Sequence, residues 1–194
     1  MASDTYQHFA SSSTQGNSAV QIFRRDLGSP ALGTSTAVLS ATASAAGSTV
    51  TTGITNPDVP RNVTATPGGT TANVTAVSVV VNGTDIEGNA LTETLPAFTA
   101  GASTAVTGSK AFATVTSIVL PIVGASTTVA VGLGAKVGLP FRTSMNMVLR
   151  AWLNNVLEGT APTVAFDATN ICNNTVTLNS ALAGTKVQVL IGDR

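Results

Sequence analysis

The sequence predicts an all-β protein: an antiparallel β-sandwich or barrel-like body with an extended N-terminal arm and at most one short helix. Three observations carry this expectation. Hydrophobic residues make up 43% of the chain, and they are mainly Ala and Val interleaved with Thr, Ser and Gly, a mixture that suits pleated, closely approaching backbone. Short β-branched runs recur along most of the length, each bounded by Gly, Pro or Asn. Only one stretch, residues 145–157, approaches the 3.6-residue apolar period of a helix.

Residues 1–33 differ from the rest and read as the arm. They hold the only His (His8), the only Tyr, two of the six Phe and the sole adjacent basic pair. That pair lies in Gln21-Ile22-Phe23-Arg24-Arg25-Asp26, between a polar stretch over residues 11–18 and the turn former Gly28-Ser29-Pro30. No period of 2 or 3.6 is sustained here, so an extended segment lying across a neighbouring subunit is expected. Ile22, Phe23, Arg24 and Arg25 are its candidate partner-binding residues. Guanidinium groups fork onto a partner's carboxylates while the apolar pair fills a groove.

Residues 34–194 form the β-rich body, which opens with a hairpin expected from residues 36–42 and 48–54. Asn56-Pro57-Asp58-Val59-Pro60 then bends the chain, because each Pro fixes its own φ and pushes the preceding residue toward extended geometry. Asp58 and Arg61 bracket Val59-Pro60 and can tie that bend together by a local ion pair, so Pro57, Asp58, Pro60 and Arg61 are assigned structural roles. After a turn at Pro67-Gly68-Gly69, residues 73–81 alternate as a strand and end at Asn82-Gly83. The loop that opens there closes at Gly88-Asn89, and residues 90–95 return. Further strands are expected at 103–106, 113–120, 127–133, 163–168, 175–178 and 186–191. The helical candidate at 145–157 spaces Val148, Trp152 and Val156 four apart, with a strand or irregular segment as its alternative. Trp152 sits among apolar neighbours and is expected in the core.

Only 9% of residues are charged, against roughly 25% in ordinary soluble proteins, and the two signs cancel. A surface so poor in charge lacks colloidal repulsion, which points to burial against other protein and to a homo-oligomer. Nucleic acid is not an expected partner, since phosphate neutralisation needs clustered cations and the six Arg and three Lys are scattered. No apolar run nears the roughly 20 residues that span a bilayer, and no secretory signal pattern opens the chain, so no membrane partner is expected. Cys172 is the sole cysteine and cannot form an intramolecular disulfide, which fits assembly in a reducing cytoplasm.

The same scarcity argues against an enzyme. A nucleophile needs a base within hydrogen-bond reach, and the one imidazole lies in the arm. Cys172 has no Cys or His partner at zinc-ligand spacing and reads as an inert small side chain. Asp85 and Glu87 share one loop and read as a solvated hairpin tip rather than a Ca²⁺ site. Gly132-Leu133-Gly134-Ala135-Lys136 lacks the spacing and the Ser/Thr of a phosphate loop. No catalytic residue, metal site or cofactor is expected.

The stretch Val50-Thr51-Thr52-Gly53-Ile54-Thr55-Asn56-Pro57-Asp58-Val59-Pro60-Arg61-Asn62-Val63-Thr64 resembles a segment of the virion structural proteins of tailed bacteriophages. So do Glu93-Thr94-Leu95-Pro96-Ala97-Phe98, Val106-Thr107-Gly108-Ser109-Lys110-Ala111-Phe112 and Gly134-Ala135-Lys136-Val137-Gly138-Leu139-Pro140-Phe141. Together these segments cover roughly residues 48 to 142; the arm lies outside the likeness. The resemblance implies a non-enzymatic particle protein assembled in the host cytoplasm. The expected role is capsid decoration, or cement: binding the major capsid protein and copies of itself on the outer surface of the shell. It carries no catalytic residue over. The alternatives are a tail, tail-tube or fibre component and, from another class, a carbohydrate-binding β-sandwich.

Overall fold

The computed structural model describes residues 7–8 and 21–193. The chain is all-β. In order the strands are β1 (Gln7–His8), β2 (Gln21–Asp26), β3 (Leu39–Ala43), β4 (Ser48–Val50) and β5 (Arg61–Gly69). β6 (Val80–Thr84), β7 (Ala90–Thr94), β8 (Val106–Thr107), β9 (Thr114–Leu120) and β10 (Thr127–Gly138) follow. The last are β11 (Val148–Leu153), β12 (Val156–Leu157), β13 (Thr163–Ala165), β14 (Thr175–Thr177) and β15 (Val187–Asp193). Two single 3₁₀ turns, Thr71–Asn73 and Ile171–Asn173, are the only helical elements among the described residues.

Three antiparallel sheets result. One runs β1-β2-β15-β11-β12; a second runs β13-β14-β10-β5-β8, with β3 also on β10; the third runs β4-β9-β6-β7. The second and third sheets face each other over a core that includes Val63, Val131, Val81, Ile118, Phe98 and Phe112, all essentially without solvent contact. The first sheet packs on the far end of the second over Val137, Leu139, Val176, Val187, Val189 and Ile191. The twelve-residue β10 therefore serves both cores, Val129 and Val131 in one and Val137 in the other.

Several strands fall where they were expected, β7, β9, β14 and β15 among them. Other expectations are corrected by long-range pairing. Residues 36–42 and 48–54 do not form a hairpin: β3 pairs with β10 and β4 pairs with β9, so the chain crosses between sheets at Ser44. Ser44 fixes that corner, donating its amide to Thr127 O and its hydroxyl to Pro121 O. The strand expected over 73–81 begins instead at Val80, and Asn82-Gly83 lies within β6 rather than opening the loop. Gly83 serves close approach, since a Cβ there would come within 1.9 Å of Thr114 O in β9. Pro67-Gly68-Gly69 ends β5, with Pro67 opposite Val129 and beyond the short pairing to β8, where its missing N–H costs no ladder bond.

The helical candidate is a β-hairpin. β11 pairs with β12 through Trp152 opposite Leu157 and Leu153 opposite Val156. Asn154 and Asn155 join them at φ 52° and 63°, the two consecutive positive φ values of a two-residue hairpin turn that Asn tolerates. The shift at Leu149 puts Val148 on the inner face and Trp152 on the outer one, so the residues spaced four apart do not share a face, and the pairing of β11 with β15 decides the structure.

Candidate interaction surface

Of the expected arm, residues 1–6 and 9–20 lie outside the described residues. Residues 21–33 are built into the body. β2 pairs with β15 over six positions, from Gln188 opposite Asp26 to Asp193 opposite Gln21. Leu27 is buried in the second core, and Ala31 is bonded on both its amide and its carbonyl by Asp58 and Arg61. The boundary expected at residue 33 thus falls inside packed structure.

Strand geometry separates the four candidate anchors, because successive side chains point to opposite faces. Phe23 packs against the second core, and Arg25 shares its face, the guanidinium 5.5 Å from the Phe23 ring centre. Ile22 and Arg24 point outward. Adjacent Ile22 and Phe23 therefore cannot fill one groove as a pair. The outer face continues across the sheet in register: Ile22 lies beside Gly192, Arg24 beside Leu190, and Asp26 beside Gln188. β11 adds Arg150 on the Leu190 rung and Trp152 on the Gln188 rung. The register shift between Val148 and Arg150 makes Leu149 a bulge residue, and its side chain leans over Gly192.

Trp152 is consequently not a core residue. Its half-buried ring lies on this outer face, with the Arg24 guanidinium 4.3 Å from the ring centre. A cation over an indole at an exposed site contributes about 0.5–1 kcal/mol. Apolar side chains also lie on this surface, with Leu149 51% and Leu157 43% exposed. Beside it, β11 and residues 157–162 enclose a recess of roughly 210 Å³ walled by Leu149, Arg150, Leu157 and Pro162. Gln188 Oε1 is buried on this face without a hydrogen-bond partner among the described residues.

The structure brings Asp58 and Arg61 together and shows more than a local pair. Arg61 is fully buried, with Nη1 3.2 Å from Asp58 Oδ1. Its Nε donates to Gly134 O at 2.8 Å, Nη2 donates to the same carbonyl, and Nη1 donates to Ala31 O at 2.9 Å. These bonds cap the irregularity in β10 between Leu133 and Val137, where the two cores meet, while Asn62 Oδ1 accepts from Lys136 N. Asp58 in turn accepts from Ala31 N at 2.6 Å and from Val59 N. Half-buried Pro57 and Pro60 flank the bend, and Pro60 O accepts from Gly138 N. The glycine run over 132–138 serves this packing: a Cβ on Gly132 would lie 2.0 Å from Thr34 O.

A polar cleft of roughly 450 Å³ opens between the β6–β7 hairpin and residues 169–173, with Lys110 and Arg142 in its walls. Asp85 is not at a solvated tip; it is buried and accepts from the amides of Glu87 and Asn89. Glu87 pairs with Arg142, and Glu93 accepts from Ser109 N at 2.7 Å and from the Ser109 hydroxyl. Lys110 donates to Thr92 O. The Asn170 amide, the Asn173 side chain and the Thr169 amide hold the Asp167 carboxyl well below the usual carboxylate range. Burial pushes the Cys172 thiol up, which disfavours the nucleophilic thiolate. Elsewhere Asp26 pairs with Lys186 at 2.8 Å, and Glu158 accepts from Ser180 N.

Comparison with protein-family models, curated proteins and solved structures found no match for this chain.

Proposed function

We propose that this chain is a non-enzymatic structural protein of a tailed-phage particle, and that it decorates and clamps the outer surface of the capsid shell. The observation that carries the reading is how its few charges are used. The carboxylates with described side chains are each held by a backbone amide, a hydroxyl, an amide side chain or a cation of the same chain. They serve the fold. The rest of the exposed surface is rich in Thr, Ser, Ala and Asn, and Leu149, Val156, Leu157 and Ile122 are exposed among them. Near-zero net charge and exposed apolar side chains together favour association with other protein. The segment resemblance to phage virion proteins supplies the assembly, with the major capsid protein and copies of this chain as partners.

Mechanistically, many weak contacts repeated over a symmetric shell give strong retention without any single strong site. Burial of apolar and hydroxyl-bearing surface carries most of the attachment, so its salt dependence is shallow. The test is sedimentation of the full chain with shells that lack it. Saturable retention, little changed between low and physiological salt, is the expected result; no retention at any concentration overturns the reading. Because β2 belongs to the body, the informative arm deletion stops before Gln21. A deletion of residues 1–33 would also remove Leu27 and the Ala31 bonds.

A further inference from the structure

The outer face of the β2-β15-β11 sheet carries two arginines, Arg24 and Arg150, with no carboxylate partner among the described residues. Among the described residues Arg61, Arg142 and Lys186 each pair with a carboxylate. Arg150 makes no ion pair, and the Arg24 guanidinium has only the Trp152 ring. Both arginines belong to the same rung, one on each side of Leu190. Two strand spacings put their Cα atoms about 10 Å apart. Glu158, beside the recess next to Arg150, is turned to Ser180 N.

From this we infer that the face is a docking surface for a carboxylate-bearing segment of a different protein. Two acidic side chains about 10 Å apart would meet Arg24 and Arg150, with an apolar side chain between them over Leu190 and another entering the recess by Leu149 and Leu157. Charge decides among the occupants. A second copy docking the same face two-fold would set arginines against arginines, and the carboxylates described for this chain are already engaged. A nucleic acid requires a wider cationic field than two arginines set among leucines and an indole. The inference rests on the shell-decoration reading and names the chemistry of the partner: an acidic, apolar segment of the shell.

The experiment compares wild type with Arg150→Glu, Arg24→Glu and Lys136→Glu, the last being the same charge change on another sheet, with folding checked by circular dichroism. Retention on shells lacking the chain should fall about tenfold or more for the first two variants and stay near wild type for Lys136→Glu. Equal retention of all four proteins overturns the docking inference and leaves decoration standing. Equal losses for all three variants also overturn it, since the effect is then bulk charge. Failure of the wild type to bind shells removes both readings. Two parallel measurements cover the other occupants. Should Arg150→Glu dissociate a wild-type oligomer in sedimentation velocity, or abolish retention of duplex DNA, the face belongs to a copy or to nucleic acid and the inference falls.

Discussion

Arg61 sits where three parts of the chain converge: Ala31 between β2 and β3, Asp58 in the proline bend, and Gly134 in the irregular middle of β10. Its guanidinium satisfies carbonyls that no strand ladder reaches, and a planar fork of five donors suits that task better than an ammonium. Replacing it with Leu leaves two carbonyls without their donor and Asp58 without its countercharge. Arg61→Leu is accordingly expected to lower the unfolding free energy by roughly 2–4 kcal/mol, from two carbonyls left without a donor. Urea unfolding followed by circular dichroism measures this, and a loss below about 1 kcal/mol would contradict the assigned role. Sequence reasoning found the Asp58–Arg61 pair because it is local. The carbonyls of residues 31 and 134 were not legible, since nothing in either stretch marks it as an acceptor for a side chain thirty or seventy residues away.

The β11–β12 hairpin is the element at which local pattern and final structure part. Val148, Trp152 and Val156 satisfy a helical period, and Ala151 and Leu153 satisfy a strand period equally well. Asn154-Asn155 was the discriminating signal, a turn pair adopting positive φ at both positions. A β-branched residue there should be costly: Asn155→Val is expected to destabilise the protein by about 1–2 kcal/mol, whereas Asn155→Gly should be neutral or mildly stabilising. Equal melting temperatures for the two variants would refute the turn assignment. β2 shows the other limit. Six residues with no obvious period become a strand because β15, more than 160 positions later, offers them an edge. That partnership also splits Ile22 and Arg24 from Phe23 and Arg25. Their composition was visible in the sequence; the face each would occupy was not. β7 and β15 were legible because each alternates more and less buried residues on its own account, and β9 because it is a β-branched run closed by Pro121.

At the scale of the whole molecule, composition carried the fold class and the charge argument. Sparse charge, β-branched runs and frequent turns give three antiparallel sheets with two cores joined along β10. The number of cores was hidden, since it depends on which strands pair, and non-local pairing leaves no local mark. The distribution of charge became legible only in the folded chain: carboxylates turned to internal partners, two arginines left on one sheet face. Those features underlie the proposed place on a shell, where the surface is covered and the arginines meet acid. The most direct measurement is an electron-microscopy map of the intact particle encoded with this chain. The account predicts density for it on the outer shell lattice, with the β2-β15-β11 face turned toward the capsid subunits. Density confined to the tail, or a particle without this chain, would contradict it.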